Sequence, residues 1–157
     1  AIKADIAAGN GREPGLAYMG ALFAGLTDRY DNPNGPNDWI ARSAEVVADH
    51  AADPYNLKQP ATIQLMADFV DMYDHIMSTE WAESIPVELP VYIIAGDGDP
   101  VANYGEGAYH VHNMLWNTGH RKVRTHVYPG YRHEIHNEPE IRDQVVDEII
   151  EFIDSAL

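Results

Sequence analysis

The sequence predicts an α/β chain in two parts: a helical region over residues 1–84, then a β-α-β-α unit of parallel sheet over residues 85–157. Three observations predict it. Apolar residues before residue 85 recur at helical spacing and form no strand-like run. Val91–Ala95 is an unbroken apolar run closed by Gly96, the pattern of a strand buried on both faces in a parallel sheet. A helical stretch separates it from the β-rich, alternating Lys122–Tyr128.

The elements follow in chain order. Gly9-Asn-Gly11 and Pro14 read as an irregular entry, and Leu16, Met19, Leu22, Phe23 and Leu26 mark a helix from Gly15 to about Leu26. Asp28–Asn37 is rich in Asp, Asn, Pro and Gly and reads as a surface loop. Asp38 is expected to cap a helix running to about Asp49, which Asp53-Pro54 ends. Pro60 suits the first turn of the next helix, where Ile63, Met66, Phe69, Val70, Tyr73, Ile76 and Met77 form one broad stripe. Pro86 and Pro90 bracket a short connection to the first strand, and Gly96–Pro100 is a tight acidic loop. A helix is expected from about Tyr104 to Asn117, stopped by Gly119. After the second strand, Pro129–Asn137 is a loop. Asn137, with Glu140 three positions on, is expected to open the last helix as a capping box. Ile141, Val145, Ile149, Phe152, Ile153 and Ala156 mark that helix's inner stripe.

The 157 residues suit one ordinary domain. With 25 acidic against 10 basic side chains and a formal net charge of −15, a general nucleic-acid surface is excluded, because phosphate affinity comes from clustered Lys and Arg. Docking on anionic lipid through a basic patch is disfavoured for the same reason. Without cysteine, disulfides, thiolate nucleophiles and thiolate metal sites are ruled out. The longest uncharged apolar stretch, Gly15–Thr27, has 13 residues, too few to span a bilayer. No signal-peptide pattern opens the chain, and a cytoplasmic location is the expectation.

Two parallel strands cannot cover both faces or satisfy their outer edges. The expectation is therefore an incomplete sheet, finished by another polypeptide or by exchange with a second copy. In a right-handed βαβ unit both strands point the same way, so residues past their carboxyl ends share one sheet edge, where open α/β folds bind ligands. Asp97 and Asp99 follow the first strand, and His133 follows the second. Strands lie about 4.8 Å apart, so the two loops can meet. A carboxylate on one imidazole nitrogen fixes the tautomer and leaves the other as a base near neutral pH.

Leu89-Pro-Val-Tyr-Ile-Ile-Ala-Gly-Asp-Gly-Asp-Pro-Val101 resembles the acid-bearing strand and loop of the monoacylglycerol lipase/lysophospholipase group of α/β-hydrolases. Tyr128-Pro-Gly-Tyr-Arg-His-Glu-Ile-His-Asn-Glu138 resembles that group's histidine loop, and Asn37–Arg42 with Ala52–Pro54 resembles parts of its helical cap. The resemblance covers roughly residues 37–157. It implies a partial α/β-hydrolase fold, with a cap- or lid-like region at 1–84 and the C-terminal part of the core at 85–157. Residue by residue, Asp99 matches the triad acid and His133 the triad base; Asp97 and His136 match neither. The family's G-x-S-x-G nucleophile elbow and its oxyanion loop are absent. None of Ser43, Ser78, Ser84 and Ser155 has glycines at both flanking positions. The resemblance thus implies a serine hydrolase of carboxylic esters, lysophospholipid- or monoacylglycerol-directed, whose serine lies in a missing N-terminal half. That half, or a second copy, is the implied partner, alongside an acyl ester or lipid substrate. No cofactor is implied, and the isolated chain is expected to be inactive.

Other readings stand beside this one. The chain is alternatively a silent fragment or a binding subunit. Asp97-Gly-Asp99 also fits the D-x-D of a Mg²⁺-dependent phosphatase. Eight histidines raise the question of a metal, but His133-Glu-Ile-His136 is one residue short of the H-E-x-x-H spacing, and no metal site is expected. Leu16, Met19, Leu22, Phe23, Met66, Phe69, Met72 and Met77 read equally as an acyl groove or as cap core.

Overall fold

The computed structural model of the protein describes residues 1–56 and 59–156. Leu57, Lys58 and Leu157, which fall within the two expected regions, lie outside the described residues. The chain opens with α1 (Ile2–Ala7), a 3₁₀ turn at Asn10–Arg12 and α2 (Leu16–Phe23). Next come α3 (Ala44–Ala52), α4 (Ile63–Ile76) and α5 (Thr79–Ser84). The C-terminal unit is β1 (Val91–Gly96), α6 (Glu106–Asn117), β2 (Val123–Tyr128) and α7 (Arg142–Ala156). No described helix is long and apolar enough to cross a membrane.

Several boundaries differ from the sequence reading, each for a local reason. The helix expected from Asp38 starts at Ala44, because the Ser43 hydroxyl takes the cap by accepting from Val46 N–H. The Asp38 carboxylate instead accepts from Asn34 N–H at 2.6 Å. Thr62, not the Pro60 turn, starts α4, accepting from Leu65 N–H at 3.2 Å. The last helix opens at Arg142 rather than after Asn137. No capping box forms there: the Asn137 amide bonds Glu134 at 2.8 Å, and Glu140 accepts from the Tyr131 hydroxyl at 2.9 Å. Glu138 O receives the first bonds of that turn, from Ile141 and Arg142. The crossover helix starts two residues late, since Asn103, Tyr104 and Gly105 all have positive φ.

β1 and β2 pair in parallel, with Val91 opposite Val123 and Gly96 opposite Tyr128. The paired carboxyl ends are therefore level. On one face Tyr128, Ile135, Ile141 and Val145 form the core, with Ile94, Tyr131 and Ile149 packed against it. Glu148 of α7 is tied to that face: its Oε2 accepts from the hydroxyls of Tyr92 and Tyr128 at 2.7 and 2.8 Å and contacts His126 Nδ1 at 2.7 Å. On the other face α6 buries Ala108 and Leu115. Buried His120 reaches Ile85 O at 3.1 Å and so ties the end of α6 to the end of α5.

Among the described residues the far edge of β1 has no strand beside it. A groove of about 760 Å³ borders it, lined by Ile93, Ala95, Val101, Tyr109, Tyr73 and Met77 among others. Here the sequence reading needs correction: Val91–Ile94 are only half-buried, and just Ala95 and Gly96 are fully buried. The α4 stripe, which the sequence left open between groove and core, is buried only at its start. Ile63 and Met66 are buried, while Phe69, Val70, Tyr73 and Ile76 are exposed.

Candidate active site

The site grows from the level strand ends. After Gly96 the acid loop crosses directly onto the histidine loop. Asp97 N–H donates to Tyr128 O at 3.0 Å and Gly98 N–H to Tyr131 O at 2.8 Å. The approach leaves no room at Gly96, where a Cβ would collide with the main-chain carbonyls of Tyr131 and Arg132. Asp97 is spent on this crossing, as its Oδ1 accepts from Gly130 N–H at 2.5 Å.

Asp99 turns the other way. It is buried, and its Oδ1 accepts from Val101 N–H at 2.8 Å. Its Oδ2 lies 2.9 Å from Nδ1 of His133. The imidazole is half-exposed, with the Trp39 ring 5.1 Å away centroid to centroid. The hydrogen bond donated to Asp99 raises the His133 pKa above its ordinary 6.5. Partial burial opposes that rise, and the charges of Asp99 and Glu134 add to it. With Nδ1–H donated to the carboxylate, the neutral ring carries its lone pair on Nε2, an arrangement suited to general-base work.

The structure thus brings together Asp99 and His133 and leaves Asp97 and His136 out of the pair. It engages the four serines locally. Ser43 and Ser78 cap helices, and the Ser84 and Ser155 hydroxyls donate to Trp81 O and Phe152 O. Among the described residues no group of three His, Asp or Glu side chains is arranged to hold a metal ion.

Three residues near the pair were given no role by the sequence. Arg132 donates from Nη1 to the carbonyls of Asp38 and Ala41. Its guanidinium lies 4.1 Å over the Tyr30 ring. The Tyr30 hydroxyl donates to Gly98 O at 2.7 Å, and burial pushes its pKa up to about 12. Glu138, buried to 2% exposure, accepts the main-chain N–H groups of Arg42 and Ser43. All three reach across long sequence separations that no local pattern records.

Parallel strands with a crossover helix, and an acid and a histidine joined at their level carboxyl ends, define part of an α/β-hydrolase core. The family described as serine aminopeptidase, S33, matches residues 9–140, and the chain belongs to it. A highly thermostable carboxyl esterase from Bacillus coagulans, solved in complex with glycerol, is similar over 99% of this chain, with 49% identity and a TM-score of 0.94. A structure described as a lipase in its open form is similar over 98%, with 34% identity and a TM-score of 0.88. A monoacylglycerol lipase from Paleococcus ferrophilus, 19% identical over 94% with a TM-score of 0.66, shares the fold. The chain covers 50%, 49% and 55% of those three chains, about half their length. No curated protein matches it.

Proposed function

We propose that this chain supplies the acid and the base of a Ser-His-Asp triad in a carboxylic ester hydrolase, the serine coming from outside these 157 residues. The observation that carries the proposal is the 2.9 Å contact between buried Asp99 and half-exposed His133 at the sheet edge. In the assembled site the serine Oγ attacks the ester carbonyl while His133 Nε2 takes its proton. His133 then returns that proton to the leaving alcohol. Water repeats the sequence to release the acid. Asp99 holds the tautomer and stabilises the imidazolium. Main-chain N–H groups beside the serine hold the oxyanion.

Monoacylglycerols and lysophospholipids are the proposed substrates. The descriptions of the similar structures as esterase and lipases support an ester. Residues 1–84 serve as the lid in this reading. The free β1 edge receives the strand of the partner that completes the sheet: the N-terminal half of the same hydrolase or, as the second option, another copy. The test uses a fluorophosphonate serine probe. The 157-residue chain alone stays unlabelled, and co-expression with the N-terminal half yields a labelled complex. A folded complex that remains unlabelled overturns the proposal.

A further inference from the structure

Residues 38–43 run beside the histidine loop, and each offers it one main-chain polar group. The carbonyls of Asp38 and Ala41 accept from Arg132 Nη1, the latter at 3.1 Å. Trp39 O accepts from His133 N–H at 3.4 Å, and Ile40 O from Glu134 N–H at 2.8 Å. The N–H groups of Arg42 and Ser43 donate to the two oxygens of Glu138, Ser43 at 3.2 Å. Ile40 and Ala41, at the middle of the segment, are 1% and 0% exposed. Two side chains of opposite charge thus grip one strip of backbone, Arg132 by its carbonyls and Glu138 by its amides. Through Tyr30, Arg132 also reaches the loop that carries Asp99.

We infer that Arg132 and Glu138 are positioning residues, which hold residues 38–43 as a strap that sets the His133 imidazole against Asp99. Hydrogen bonds to an ionised acceptor or donor are the strong ones, and four of the six contacts are of that kind. The histidine loop begins at Gly130, whose positive φ marks a sharp turn. Its far end is the Glu138 turn that opens α7. Between them the strap supplies the lateral restraint. The groups charging His133 are Asp99 from the acid loop and Glu134 from its own loop. The strap presents it with the uncharged Trp39 ring. Loosening the strap therefore acts on His133 through its distance from Asp99.

The activity arm rests on the hydrolase reading; the titration arm does not. Glu138→Gln replaces one accepting oxygen with an NH₂ that cannot accept. In the intact protein with ring-¹⁵N histidine, the His133 titration midpoint falls toward 6.5, its ordinary value. In the completed enzyme kcat falls about tenfold or more with little change in KM, the signature of a displaced base. Arg132→Met loosens the strap at its other end, shifts both readings the same way, and carries the test if Glu138→Gln does not fold. Folded variants with an unmoved midpoint overturn the strap. An unsubstituted, folded complex that ignores the serine probe overturns the hydrolase reading and leaves the titration to judge the strap.

Discussion

The two regions of the molecule bury their apolar residues differently. In the C-terminal unit the inner stripes are covered at their centres, Leu115 of α6 at 1% exposure and Val145 of α7 at 0%; the α7 stripe expected from the sequence opens towards its end, where Ile153 is 49% exposed. In the N-terminal region α1, α2 and α3 contain no buried residue, and Leu16, Phe69 and Met72 stand open. Of the eight residues read as groove or cap core, Met66 alone is buried. Helical periodicity declares a face; it does not say what lies against it. The exceptions in the first region are Ile63, Met66 and Ala82 and, beside the histidine loop, Ile40 and Ala41.

The largest effects should fall on the Asp99–His133 pair of the C-terminal unit. In the completed enzyme, His133→Ala or Asp99→Asn is expected to lower kcat/KM by about 10⁴-fold while the urea midpoint, read at a pH above the His133 titration midpoint, stays put. Asp97→Asn should cost far less; the reverse order would make Asp97 the acid. Next comes packing. Leu115→Ala should cost about 2–5 kcal/mol in urea unfolding, because it empties a covered site.

The pH responses follow. His133 must be neutral to act, so kcat/KM should rise with pH through a midpoint above 6.5. Asp99→Asn should move that midpoint down. The same raised pKa adds stability that is complete below 6.5 and lost as pH climbs through the folded value. Glu148 works in the opposite sense. Burial pushes its carboxyl up, but hydrogen bonds with Gln144, His126, Tyr92 and Tyr128 prevail and hold it at about 2, against an ordinary 4.5. Its contribution is present above 4.5 and lost as pH falls toward 2. Glu148→Gln should therefore flatten the stability curve across that window. The smallest effect belongs to the open face: Leu16→Ala should change stability by no more than about 0.5 kcal/mol. A loss as large as that of Leu115→Ala would erase the contrast between the regions.

Legibility in the sequence followed the same divide. β1, α6 and β2 were readable to within two residues, because an apolar run, a Gly stop and an alternating run are local signals. Parallel strands bring the Asp97–Asp99 loop and His133 together by topology, and the resemblance to the hydrolase motifs singled out Asp99 from Asp97. The Asp38–Ser43 segment was misread as helix. Its Asp looked like a cap, while Arg132 and Glu138, which hold its main chain in a non-helical course, lie more than 90 positions away. The helices α1 and α5, six residues each, are too short for periodicity to announce.

The crossing at Gly96 limits how this scaffold can be altered. Because the main chain of one loop occupies the space a side chain would need on the other, position 96 tolerates no residue larger than hydrogen allows without re-routing Tyr131 and Arg132. Randomising that codon should return a single viable amino acid.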